Sequence, residues 1–112
     1  MRAIIHYGQC LLDSEPGPGV VGGMAFDVFE WFPKASIGNP VGFVSTSETR
    51  LILHPDYGHV LNYARLKVYE DGRAELTARY LDPKNHKVRM HEVFGCSVGP
   101  SGGVTLFEQT AP

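Results

Sequence analysis

A chain of 112 residues is the size of one ordinary domain and buries a core without needing a metal or a disulfide framework. Its 43% hydrophobic and 20% charged residues exclude disordered and collagen-like classes, 13 Gly and 8 Pro suit a turn-rich β protein, and a net charge of −2 argues against strong nonspecific attraction to nucleic acid. No apolar run is long enough for a membrane span, and Met1-Arg2-Ala3-Ile4-Ile5-His6 breaks too soon for a signal peptide, so the cytoplasm is the expected compartment.

Ala3 to Leu12 reads as a bent first strand interrupted by Gly8, and Asp13 to Gly23 as a Pro- and Gly-rich surface loop. The glycines of that loop do not make a phosphate cradle, because no Gly-Lys-Ser/Thr opening of a helix follows them. Met24 to Phe32 is apolar on both faces of a strand, with Met24, Phe26 and Val28 on one side and Ala25, Phe29 and Trp31 on the other. A central strand covered on both sides is the reading its aromatic and β-branched content favours, with a short helix ended by Pro33 as the alternative. Val41 to Ser47 and Thr49 to His54 read as two short strands, His54 to Gly58 as a turn, and His59 to Tyr69 as a long strand.

The segment from Ala64 to Phe94 carries the strongest pattern, three antiparallel strands joined by two tight turns. A two-residue Asp71-Gly72 turn would set Leu66 and Val68 against Thr77 and Glu75, sending apolar side chains to the wet face. A three-residue loop of Glu70, Asp71 and Gly72 instead pairs Ala64, Leu66 and Val68 with Ala78, Leu76 and Ala74, and Lys67 with Glu75. The second turn, Asp82-Pro83-Lys84-Asn85, feeds a third strand in a register that sets Arg79 against Arg89. Gly95 to Gly103 is loop and Val104 to Glu108 a last strand. The fold class expected is mostly β: a single domain over 1–112, an antiparallel barrel or sandwich of about seven or eight short strands, with a central meander at 59–94.

Cys10 and Cys96 lie far apart in the chain, in neither a zinc spacing nor a disulfide framework; reduced, buried thiols are expected, their distance in space being open. Seven of the ten Lys and Arg residues fall between Arg65 and Arg89, which predicts a basic side and an acidic side.

Three constellations offer chemistry. Phe26, Phe29, Trp31 and Phe43 are rich enough in aromatic area to line a cavity, although core packing is the commoner use of such residues. Tyr63, Arg65, Tyr69, Arg79, Arg89 and His91 share the outer face of the meander, where rings between cations suit single-stranded nucleic acid and equally suit a plain solvated face or a protein contact. His54, Asp56 and His59 have ligand chemistry for a divalent metal if their turn folds them together, while the same residues are ordinary turn formers.

Gly22-Gly23-Met24-Ala25, with Tyr63-Ala64-Arg65-Leu66-Lys67-Val68-Tyr69-Glu70-Asp71-Gly72 and Ala74-Glu75-Leu76-Thr77-Ala78-Arg79-Tyr80 downstream, resembles the closing strands of calcineurin-like metallophosphoesterases. Those enzymes hold two metals with Asp-x-His, Gly-Asp, Gly-Asn-His-Asp/Glu and Gly-His-x-His blocks, to which Gly58-His59-Val60 is the nearest approach here. The resemblance therefore implies a detached accessory portion without hydrolase activity.

The function expected is a non-enzymatic binding module for a small molecule or a protein, without cofactor and without membrane. A metal-dependent hydrolase-like enzyme and a single-stranded nucleic-acid binder are the alternatives. Exposed strand edges make a homodimer plausible.

Overall fold

The structure, a computed structural model, describes residues 2–25 and 28–108. The described residues form one sheet of ten strands and no α-helix. The strands are β1 (Arg2–His6), β2 (Leu11–Leu12), β3 (Glu15–Pro16), β4 (Val21–Ala25), β5 (Glu30–Phe32), β6 (Phe43–His54), β7 (Gly58–Tyr69), β8 (Arg73–Leu81), β9 (Val88–Val98) and β10 (Gly103–Phe107). Their order across the sheet is β4-β1-β10-β9-β8-β7-β6-β5, with β2 and β3 attached beside β9. All pairs are antiparallel except β9 with β10. The mostly β class is observed, as a single sheet curled into a half-barrel.

The first hairpin of the meander has the register its sequence dictates. Leu66 faces Leu76, Ala64 faces Ala78, Val68 faces Ala74, and Lys67 faces Glu75. Gly72 takes φ of +90°, the left-handed turn position that a side chain resists, and its N–H donates to the Tyr69 carbonyl at 3.0 Å. Because side chains alternate along a strand, this register sends Leu66, Leu76 and Phe94 inward together, where each is at most 2% exposed. Ile5, Met24 and Val104 close over them from β1, β4 and β10 to complete the core.

The second hairpin differs from its expected register. Arg79 faces His91 rather than Arg89, because the chain turns between Asp82 and Lys87 and a bulge follows between Tyr80 and Leu81. Leu81 faces Val88 and Tyr80 faces Met90, which leaves Arg89 as the extra residue. The left-handed residue of the turn is His86, with φ of 60°, one position past Asn85. The bulge relieves the like-charge pairing of Arg79 with Arg89, since Arg79 Nε now donates to His91 Nδ1 at 2.9 Å.

Four further expectations are corrected. The described residues of the segment 24–32 form neither a central strand nor a helix: they hold the end of β4 at one edge of the sheet and β5 at the other. Phe43 to His54 form the single long strand β6, continuous through Glu48, and Val41 and Gly42 precede it. The first strand ends at His6 in a 3₁₀ turn, Tyr7–Gln9, before β2. Cys10 and Cys96 are not reduced thiols. The turn brings Cys10 onto β9, the two Cα atoms stand 4.6 Å apart, and the sulfurs form a disulfide.

Candidate functional site

The strands β6 and β7 continue past the core to the His54–Gly58 turn. His54 Nδ1 accepts the N–H of Asp56 at 3.0 Å and that of Tyr57 at 3.4 Å, which tightens the turn and folds Tyr57 back over the sheet. The Tyr57 ring then lies 5.0 Å from His54 and 5.5 Å from Tyr80, and Tyr80 lies 5.1 Å from His54. Tyr80 comes from the inward side of β8, opposite Asn62 of β7 and Met90 of β9. The three rings form one tilted pad at the open end of the half-barrel.

The facing wall comes from the first quarter of the chain. The Tyr7 N–H donates to Val20 O at 3.0 Å and the Gly17 N–H to Cys10 O at 2.9 Å, folding the Pro- and Gly-rich loop across the same end. Gly17 lies so close to the Tyr7 carbonyl that a Cβ there would collide with it, which explains a glycine in this loop without any phosphate. The Tyr7 ring meets Phe94 edge-on, centroids 4.9 Å apart. Between the two walls is a cleft of about 420 Å³ lined by Tyr7, Pro18, Val20 to Gly22, His54, Tyr57, Asn62, Ala78, Tyr80, Met90, Glu92 and Phe94.

Its electrostatics follow from these neighbours. Burial, then the Glu92 carboxylate, then Tyr57 hold the Tyr80 hydroxyl above its ordinary pKa of 10.0. Burial, then Tyr80, raises Tyr7 in the same way, so both of these phenols keep their protons at neutral pH. Among the described residues, neither lysine nor arginine lines the cleft. Arg89, released by the bulge, lies at its rim, its guanidinium 5.7 Å from the Tyr57 ring centre and 4.0 Å from Asp82.

The residues singled out in the sequence occupy several places. Phe26 lies outside the described residues. Phe29 is 56% exposed ahead of β5, Trp31 on β5 is 47% exposed, and Phe43 is buried on the other face of the sheet, stacked on Phe32 at 4.9 Å and covered by Lys67. The described members of that set do not enclose a cavity together. On the outer face Arg79 lies over Tyr63 at 5.9 Å, and Arg73 lies over Tyr69 at 4.7 Å while holding Asp71 at 2.8 Å. His91 accepts from Arg79, and Arg65 faces Thr77 with its Nε buried and unpartnered among the described residues. Of the outer-face group, Arg89 alone has moved to the cleft. His54 lines the cleft, whereas His59 faces Leu53 on the odd-numbered side of β7, and no three described His, Cys, Asp or Glu side chains are arranged to hold a metal.

Sequence reasoning missed Tyr7, Asn62, Tyr57, Tyr80 and Glu92. A signal was present for three of them. Asn62, Tyr80 and Glu92 are polar members of the even-numbered set that otherwise supplies the core, and they interrupt it at the same end of the sheet.

No curated protein matches the sequence. The fold is similar to the crystal structure of a VirK family protein from Legionella pneumophila, with a TM-score of 0.72 over 92% of this chain and 80% of that one, at 12% identity. At that identity the likeness shows the fold alone. The family whose pattern matches, described as VirK protein, spans residues 1–86 and takes in both walls of the cleft up to the second turn of the meander. The hairpin patterning that resembled metallophosphoesterase strands is thus the patterning of another family: the chain belongs to the VirK family.

Proposed function

We propose that the protein is a non-enzymatic binding module whose ligand is a small molecule held in the cleft between the Tyr7 wall and the Tyr57–Tyr80 pad. The cleft itself carries this reading. Its volume of about 420 Å³ falls in the range of small-molecule sites, and its lining has their composition, apolar and aromatic walls with a few convergent polar groups in Asn62, Glu92 and the phenols. Catalysis has less support. No Ser, Thr or Cys stands among the described lining residues, and the His54 Nδ1 lone pair is engaged by two turn amides, so no described nucleophile is paired with a base there. The Cys10–Cys96 bridge supports an oxidising compartment as the place of action, in contrast to the cytoplasm expected from the sequence.

Titration of ¹⁵N-labelled protein with phenol, indole, benzylamine and benzoate tests the reading. A ligand in the cleft shifts amides of 54–62, 78–80 and 90–94 together and saturably. Lack of a saturable response at these positions with every member of the panel contradicts it.

A further inference from the structure

Resting on that reading, we infer that the cleft selects an organic cation, an ammonium or amidinium group carried on a small apolar body, with Glu92 as its counter-charge and the rings of Tyr57 and Tyr80 as its platform. The charge balance is the first reason. Glu92 lines the cleft and no described cation lies within ion-pair distance of it, while Arg50 pairs with Glu48 at 3.4 Å and Arg89 with Asp82 at 4.0 Å. His54 turns its Nδ1 into its own turn, where it accepts the N–H groups of Asp56 and Tyr57. The cleft therefore holds one carboxylate with no described cationic partner, beside the rings of Tyr7, Tyr57 and Tyr80.

The second reason is the rings. The face of an aromatic ring is the negative pole of its quadrupole and attracts a cation within about 6 Å of the centroid. Tyr57 already receives one such group, the Arg89 guanidinium at 5.7 Å, at the rim. The inner side of the pad meets the same carboxylate field, and partial removal from water strengthens both terms. An anion entering the cleft meets the Glu92 carboxylate and no described lysine or arginine in the lining, so benzoate-like ligands are disfavoured.

The third reason is the apolar remainder of the lining. The side chains of Pro18, Val20, Met90 and Phe94 offer a bound ion no oxygen ligands, and a hard metal ion needs six or more. An alkylated or amidinium cation is weakly hydrated, keeps its apolar body against these side chains and places its charge by Glu92.

Choline and 3,3-dimethylbutan-1-ol, which differ only in replacing the quaternary nitrogen by carbon, separate charge from shape. Followed by chemical shift on the disulfide-intact protein, choline is expected to bind at the cleft roughly tenfold more tightly than the alcohol. Glu92→Gln, a partly exposed and nearly isosteric change, brings the two to within about threefold, while Tyr57→Leu weakens choline more than the alcohol. Equal or tighter binding of the alcohol by the wild type, or undiminished preference for choline in Glu92→Gln, overturns the inference and leaves the ligand cleft standing. Lack of any saturable cleft shift with either compound and with the aromatic panel removes the cleft reading together with the inference.

Discussion

The ring of Tyr57 meets that of Tyr80 edge-on, at 5.5 Å and 68°, so the turn between β6 and β7 is fastened to the end of β8 by side chains alone. An aromatic pair of this kind is worth about 0.5–1.5 kcal/mol beyond its buried area. A double-mutant cycle on Tyr57→Ala and Tyr80→Ala, read by urea unfolding, is expected to give a coupling energy of that size, with both single variants also raising amide exchange at 56–58. Strictly additive effects would mean that the pad is not a unit.

The Cys10–Cys96 bridge ties the wall of the cleft that bears Tyr7 to β9 and closes a long chain segment, with a sequence separation of 86. Removing such a link costs about 2–4 kcal/mol, chiefly through the larger freedom of the unfolded chain. The paired substitution Cys10→Ser and Cys96→Ser is expected to lower the urea midpoint accordingly and to loosen residues 7–20 more than 64–80. A midpoint insensitive both to this change and to reductant would contradict the bridge.

Stability should change at both ends of the pH scale, with opposite signs. Tyr80 and Tyr7 hold their protons above the ordinary 10.0, so the folded state binds these protons more tightly than the unfolded chain does. Their contribution is complete below about pH 10 and is lost as pH rises beyond it. Asp71 and Asp82 are held below 3.8, first by the backbone N–H groups of Arg73 and Lys84 respectively, and their contribution is present above that value and lost as pH falls. A melting temperature flat from about pH 5 to 9 and falling on either side is expected, with a shallower alkaline limb in Tyr80→Phe. An alkaline limb that rises would contradict the placement of the two phenols.

Much of the fold was legible because alternation and charge agree. Leu66 against Leu76 and Lys67 against Glu75 favour one register, and a slip of one residue would expose the whole inner face. The third strand was legible only in its parity. Met90 and Phe94 point inward as their spacing requires, but the bulge after Tyr80 has no residue signature, and it carried Arg89 from the outer face to the rim of the cleft. Residues 24–32 misled because an apolar run reads the same at a sheet edge as at its centre, and β4 and β5 part company within it. Proximity of Cys10 to Cys96 depends on the 3₁₀ turn at Tyr7 and on β2 docking beside Gly95, contacts between distant segments that local pattern does not encode. The same holds for the cleft, whose walls meet only when 7–22 folds over the ends of β7, β8 and β9.

Methionine methyl groups test the central claim most directly, since Met90 lines the cleft and Met24 is buried in the core and not among the residues lining it. In protein labelled with ¹³C at methionine methyls, a saturating small ligand such as choline is predicted to shift the Met90 resonance along a hyperbolic curve and to leave Met24 in place. A Met90 resonance unmoved by choline, its neutral isostere and the aromatic panel alike would contradict the assignment of this cleft as the binding site.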